Sequence, residues 1–556
     1  MSNSLNDIQR IAGRLGIRPS ELHLHGRYKA KVDLSILGRV GGRRGTYVLV
    51  TAITPTPMGE GKTVTTIGLS MALNRMRRRA VATLRQASLG PLFGAKGVGT
   101  GGGACQIVPA DDVNLHLTGD MLAVEVANNL LVSFVENAVF QGNALDIEPD
   151  SILIRRCLDV GDRALRHIAY TLKAKTGPVE VRTGFEITAA SESMSVVTLA
   201  RDFADMRRRL KELVVARDRK GRFVTARDVK ADGMMAAVLK DALKPNLVQT
   251  SAGTPCLVHT GPFANVSVGT CSILADRIGL GLCDYVVTES GFGSDCGGEK
   301  FFDIKCRYSG LAPDVCVLVC SVRGLKAQSA RLAITPGRSP DPALFREDLA
   351  ALNEGLANLR RHIENVRLFG VPVVVCVNVF PTDTPAERAL IMTEAARSGV
   401  EDVVESTAWR DGAAGAMALA RSVERIARAA KAGFRLLYED DLGLCDKIAR
   451  VARKVYGAAD VDFSPQAREG LRAYEEAGYG KLPVCIAKTQ FSFSADEHLK
   501  GAPSGFVFPV KDVRLAAGAG FVLAHASLSQ TMPGLPVHPR GEKIDVDADG
   551  RIVGMD

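Results

Sequence analysis

The sequence predicts an α/β fold: a large domain of the P-loop NTPase type with a mostly parallel sheet, followed by smaller α/β domains toward the C-terminus. Three observations predict it. Residues 314–323 and 370–380 are continuous apolar runs rather than alternating ones, the pattern of parallel strands covered on both faces. A helical stretch at 349–366 lies between them, giving the order strand, helix, strand. Upstream, a strand carrying Tyr47, Leu49 and Ile53 runs into a glycine-rich turn, and a helix follows with Val64, Ile67 and Met71 at spacings of three and four.

Length and composition bound the rest. A chain of 556 residues is too long for one core. We divide it into a nucleotide-binding domain with helical insertions at 1–365, a second α/β domain at 366–480 and a small C-terminal domain at 481–556. With 46% hydrophobic and 24% charged residues the composition is that of a globular enzyme, not a disordered chain. The net charge of +9 is mild for this length. Basic residues cluster at Arg207-Arg208-Arg209 and between Arg217 and Arg222, but no aromatic residues interleave to stack bases, so the expectation is solvated helix faces and no nucleic-acid partner.

The twelve cysteines form no C-x-x-C pair, and Cys316, Cys320, Cys376 and Cys485 sit in apolar runs, which reads as small buried hydrophobes in a reducing compartment. The first residues are polar and show no apolar signal core, so a cytoplasmic protein is expected. The most apolar helical stretch, 121–140, carries Glu125, Asn128, Asn129, Glu136 and Asn137, which suits a buried helix and not a membrane span.

The turn itself reads Thr54-Pro55-Thr56-Pro57-Met58-Gly59-Glu60-Gly61-Lys62-Thr63. Strand, glycine-rich turn and Gly-Lys-Thr at a helix start form the layout of a phosphate-binding loop. Backbone N–H groups and the positive helix end converge on one point, Lys62 adds a full charge, and the Thr63 hydroxyl suits Mg2+. The ligand that fits is ATP with Mg2+, held by Thr56, Pro57, Met58, Gly59, Glu60, Gly61, Lys62 and Thr63. The strict pattern has Gly where this chain has Thr56 between two prolines, so the loop is a stiffer variant. An ordinary glycine turn is the plainer alternative.

After the helix a short strand at 80–84 ends in Arg85. In an open parallel sheet ligands collect at the carboxyl ends of strands, which puts Arg85 beside Lys62 to grip a carboxylate or phosphate. A glycine-dense stretch from Gly94 to Gly103 follows, expected where main chain approaches a ligand closely. His116 and Asp120, four residues apart, suit a shared proton-handling or ion-holding job. Arg323, Lys326, Asn378 and Asp383 follow the two apolar runs and can face the same crevice. His23 and His25 alternate as on one strand face but are too few for a metal site. Asp545-Val546-Asp547-Ala548-Asp549-Gly550 imitates the start of a calcium loop with Asp556 in the closing position, yet Ile544 and Ile552 bracket it like hairpin arms, and a hairpin is the expectation.

The loop from Thr54 to Thr66, Arg85 with Ser88-Leu89-Gly90-Pro91, Lys96-Gly97, Asn114 to Asp120, Gly261-Pro262-Phe263-Ala264-Asn265, Val287-Thr288-Glu289, Glu299-Lys300-Phe301, Asn378 to Thr384 and Met532-Pro533-Gly534-Leu535-Pro536 together resemble formate–tetrahydrofolate ligase, and the likeness spans the chain. The resemblance implies that ATP and formate give formyl phosphate and ADP, and that N10 of tetrahydrofolate then takes the formyl group to give 10-formyltetrahydrofolate and phosphate. It implies Lys62, Arg85, His116 and Asp120 as catalytic residues, Phe301, Phe380 and Trp409 as folate-binding ones, Thr63 on the metal, and a homotetramer. It also implies activation by a monovalent cation, but through a Glu of a Glu-Pro pair where this chain has Gln86-Ala87. Other departures are Val268, Ala138 and Ala327-Gln328 at places of usual His residues, and Ala104-Cys105 for a Tyr-containing pair. Two other readings stay open: a divergent homologue acting on another acid or pterin, and a P-loop ATPase switch without ligase turnover.

Overall fold

In a computed structural model the described residues are 5–42, 44–94, 99–175, 177–332, 341–429, 432–527 and 531–555. Lys96, Gly97 and Asp556, singled out above, lie outside them. Seven parallel strands carry the fold: β1 (Thr46–Ala52), β2 (Ala80–Leu84), β3 (Pro255–Val258), β4 (Tyr285–Glu289), β5 (Val315–Cys320), β6 (Val373–Asn378) and β7 (Asp402–Ser406). Their order across the sheet is β3-β2-β4-β1-β5-β6-β7, every neighbouring pair parallel. An antiparallel extension (Asn246–Thr250, Ala30–Val32, Leu22–Leu24) continues from β3.

β5 and β6 are buried on both faces, as their unbroken apolar runs require, while β7 at the edge is half-buried. One core lies on each side of the sheet. The helix after the loop, α1 (Lys62–Arg75), is buried from Val64 to Leu73 and not along a single stripe. The physical reason is enclosure: the sheet lies on one side, and α6 (Met417–Ala429) and the Gly101–Gly102 strand pack on others. Helix α2 (Asp120–Phe140) packs Val124, Leu131 and Val135 into the core, while Asn128 and Asn129 bond the backbone of Arg155 and Cys157. It is the one described helix long and apolar enough to cross a membrane. The remaining helices used below are α3 (Val322–Lys326), α4 (Leu349–Leu368) and α5 (Ala408–Asp411).

The sheet crosses the boundary drawn at residue 365/366. β6 pairs with β5 from Cys316 to Cys320, and β7 pairs with β6, so residues 373–406 belong to the same sheet as the phosphate loop. Nothing in local composition distinguishes a strand that starts a domain from one that ends a sheet, hence the difference. A separate core forms farther on, joining Leu444, Val455 and Tyr456 to Val484, Phe508 and Val522. It therefore begins well before residue 481.

The smaller expectations resolve locally. Asp545–Val546 pairs antiparallel with Ile552–Val553, and the Asp547 carboxylate accepts from the backbone of Asp549 and Arg551, which is a hairpin turn. All cysteines are free thiols, and all but Cys445 are buried. The arginine clusters are bound to acids: Arg207 to Asp232, Arg208 and Arg209 to Asp205, Arg222 to Asp218. No group of three or more metal-ligating side chains occurs among the described residues, and His23 pairs with Asp33 instead.

Candidate active site

The strand order sets out a crevice. Along the carboxyl ends of β3, β2, β4, β1, β5, β6 and β7 stand, in turn, Pro262, Arg85, Glu289, the phosphate loop, Ser321 with Arg323, Asn378 with Phe380, and Trp409. The phosphate loop leaves the middle strand, with β2 to one side and β5 to the other, which is the switch point where open α/β sheets bind ligands.

At the loop, Gly59 and Gly61 adopt positive φ of 75° and 83° and no other residue type fits there readily. A Cβ on Gly61 would also lie 2.2 Å from Nδ2 of Asn378. Thr56 does not have positive φ, so the missing glycine of the strict pattern is not needed. Its backbone N–H instead donates to Oε1 of Glu60 at 2.7 Å, and the Ser321 hydroxyl donates to Oε2 of the same carboxylate at 3.2 Å. Asn378 Nδ2 donates to the Glu60 carbonyl at 3.2 Å. Glu60 thus ties the loop to β5 and β6, a role its position alone did not reveal.

Lys62 begins α1, and its ammonium makes no hydrogen bond to a described residue. Burial pulls its pKa below the ordinary lysine range, the charges of Glu60 and Glu289 oppose this, and the charge of Arg85 adds to it. Lys62 and Arg85 therefore feel one another across the crevice, as β1 and β2 stand two strand spacings apart, about 10 Å. Arg85 is likewise lowered by burial. Its Nη1 donates to the Pro262 carbonyl at 3.2 Å, and its Nε is buried with no partner. Gly291 makes room for it: a Cβ there would stand 3.1 Å from both Nη atoms. A guanidinium held on one corner and otherwise unspent is ready for a small anion.

Glu289 at the end of β4 accepts from the Thr63 hydroxyl at 2.9 Å. In the sequence this residue stands only as part of a motif, with no job of its own. The signal was present: an acid closing the apolar run Tyr285-Val286-Val287-Thr288, at the strand end next to the loop.

Phe380 and Trp409 emerge from adjacent strand ends, since Asn378 pairs with Ser406 and the Val379 N–H donates to the Ser406 carbonyl. Trp409, on α5, is 48% exposed, the only tryptophan and a large ring left open to solvent. Gly102 and Gly103 lie against it. A Cβ on Gly103, at φ 58°, would stand 2.1 Å from the Trp409 carbonyl and 2.9 Å from the ring, and the Ala104 N–H donates to that carbonyl at 2.7 Å. The end of the glycine stretch is thus spent on seating the tryptophan. Arg323 covers a face of Phe380, and Asp383 accepts from the Phe380 N–H at 2.8 Å.

Other expected site residues are placed elsewhere. Phe301 is fully buried and packs 5.7 Å from both Tyr47 and Phe302, so its ring belongs to the core and has no free face for a folate. His116 is exposed and Asp120 buried. Both Asp120 oxygens are taken, by Lys31 at 2.6 Å and by Asn246 at 2.7 Å, so the expected His116–Asp120 partnership is replaced by a buried ion pair. Lys326 is bonded to Glu387 at 2.8 Å and does not face the crevice as a free cation. Gln86 is buried with neither amide atom partnered, and Val268 is core.

A phosphate loop at a sheet switch point, with a cation opposite and an acid beside the loop threonine, defines a P-loop enzyme of the α/β class. The chain belongs to the formate–tetrahydrofolate ligase family, whose family model matches residues 1–556. It is 51% identical over 554 residues to the formate–tetrahydrofolate ligase of Roseiflexus sp. (strain RS-1), covering 99% of this chain and 98% of that protein. It is 49% identical over 559 residues to the ligase of that name from Chloroflexus aurantiacus, covering 99% and 98%. Formate–tetrahydrofolate ligase 2 of Rubrobacter xylanophilus is 46% identical over 559 residues, covering 99% and 97%.

Proposed function

We propose that the protein joins formate to tetrahydrofolate with ATP, giving 10-formyltetrahydrofolate, ADP and phosphate through formyl phosphate. The observation that carries this reading is that one crevice holds Lys62 at a helix start, Arg85 with unspent donors, and two aromatic rings on adjoining strand ends. Formate is a poor electrophile, and a mixed anhydride makes it an acyl donor. A formate oxygen attacks the γ-phosphorus and the bond to ADP breaks. N10 of tetrahydrofolate then attacks the formyl carbon, phosphate leaves and the N10 proton is released.

The loop amides and Lys62 hold the polyphosphate, and Lys62 stabilises charge as the phosphoryl group moves. Arg85 steadies formate in line with it. Thr63 and Glu289, oxygen donors 2.9 Å apart, fit a hard cation, and the two would hold Mg2+, which neutralises phosphate charge. Phe380 and Trp409 take the pterin, and stacking adds roughly 0.5–1.5 kcal/mol per ring beyond burial. The neutral Gln86 leaves monovalent-cation activation weak. His116 is exposed and free to act on solvent-side protons, while Asp120, paired with Lys31, supports the frame rather than the chemistry. The assembly is a cytoplasmic homotetramer.

Phosphate release by the purified protein, with formate and tetrahydrofolate omitted in turn, tests the reading. Dependence on both supports a ligase. Hydrolysis indifferent to both would leave an ATPase switch in its place.

A further inference from the structure

Arg323 lies on α3, just beyond β5, and its guanidinium carbon sits 3.6 Å from the centre of the Phe380 ring. That is closer than the 4.3 Å of Arg217 over Phe223. The contact joins the ends of neighbouring strands, since β5 and β6 are paired. The guanidinium makes no hydrogen bond to a described residue, and its Nε is buried without a partner. Glu60 and Asp383 balance its charge through space only, and burial lowers its pKa. Glu60 does not reach it: its two oxygens accept from Thr56 and Ser321.

A planar cation with no carboxylate to hold it is thus laid on an aromatic face at the site. Desolvated contacts of this kind are the strong ones. One face of Phe380 is thereby taken, and a flat ligand can reach only the other. A cation on the rear face draws the ring's π electrons toward itself and leaves the front face less negative. Such a face stacks better on an electron-rich partner than on an electron-poor one.

We propose that Arg323 is a positioning residue for the folate: it confines pterin stacking to one face of Phe380 and favours the electron-rich tetrahydropterin over the oxidised, electron-poor pterin. This rests on the reading of Phe380 as a pterin platform given above.

The test uses full-length Arg323→Met, Arg323→Lys, Phe380→Leu and the Met/Leu double variant, with oxidised folate as a competitive inhibitor. Arg323→Met raises KM for tetrahydrofolate five- to tenfold and leaves KM for ATP and formate within twofold. Its Ki for oxidised folate moves less than twofold, so discrimination between the two pterins narrows. Arg323→Lys, which keeps the charge and loses the flat stack, falls between. On a Phe380→Leu background the Met substitution adds less than twofold. An unchanged KM for tetrahydrofolate in Arg323→Met overturns the proposal, as does an equal rise for ATP or an equal effect with Phe380 already removed. Phe380→Leu without effect on tetrahydrofolate would instead sink the platform and this proposal together, and an absence of ligase turnover in the unmodified protein would sink the function itself.

Discussion

Two sets of cations in this molecule differ in what holds them. In the frame, Lys31 meets Asp120 at 2.6 Å, Lys488 meets Asp295 at 2.7 Å, Lys326 meets Glu387 at 2.8 Å, and Lys305 meets Asp276. Along the crevice, Lys62, Arg85 and Arg323 are half-buried and have no carboxylate in contact among the described residues, and desolvation lowers all three. A desolvated charge without a carboxylate is expensive, and a fold offsets it either with backbone carbonyls, as the three that hold Lys447 do, or by keeping it where a ligand can supply the opposite charge. The frame cations hold elements together. The crevice cations are the ones we propose a ligand completes.

The two groups separate most clearly when one member of each is removed. Lys62→Ala should reduce kcat/KM for 10-formyltetrahydrofolate formation by more than about 10³-fold, about 4 kcal/mol in the barrier. Because Lys62 bonds no described side chain, thermal unfolding should shift little. Lys305→Met should do the reverse. Asp276 also accepts from Tyr47 and from the Thr83 hydroxyl, the latter at 2.6 Å, and it would be left charged in the core, a loss of about 3–5 kcal/mol in denaturant unfolding. Equal stability losses in the two variants would erase the distinction.

The same division explains what could be read from the sequence. Groups proposed to serve a ligand sit at predictable places: the loop at a strand–helix junction, Arg85 and Glu289 at the ends of apolar runs, Trp409 in a polar loop-like stretch. Frame partners are set by tertiary contact, and their spacing carries no trace of it. Asp120 looked paired with His116 four residues away, yet its partners Lys31 and Asn246 are 89 and 126 residues distant. Phe301 lay in a family-like string and proved to be core, because a motif records both packing and chemistry. The split at residue 365/366 failed to see that β6 and β7 complete a sheet begun at β1.

At the proposed pterin end the expected effect is smaller. Trp409 is half exposed and its indole supports little of the core, so Trp409→Ala should raise KM for tetrahydrofolate about tenfold, some 1.4 kcal/mol, with KM for ATP unchanged. Steady-state titration of each substrate distinguishes this from a general loss. A parallel rise for ATP would mean that the tryptophan seats the Gly102-Gly103 backbone rather than the pterin.

The smallest effect concerns a buried acid pair in the frame. Glu299 and Asp303 are fully buried and face each other, and burial pushes Asp303 up to about 7 and Glu299 well above the usual carboxylate range. An acid whose folded pKa is raised holds its proton more tightly folded than unfolded, so stability is greatest below the unfolded pKa near 3.8 and is lost as pH rises toward 7. Asp303→Asn keeps an acceptor for the Leu437 N–H, which now bonds the carboxylate at 2.9 Å, and supplies a permanent N–H toward Glu299. The variant should match the parent at pH 4 and exceed it by about 1–2 kcal/mol at pH 7.5. Urea unfolding at the two pH values reads the difference, and a gap that is the same at both would show that the pair does not share a proton.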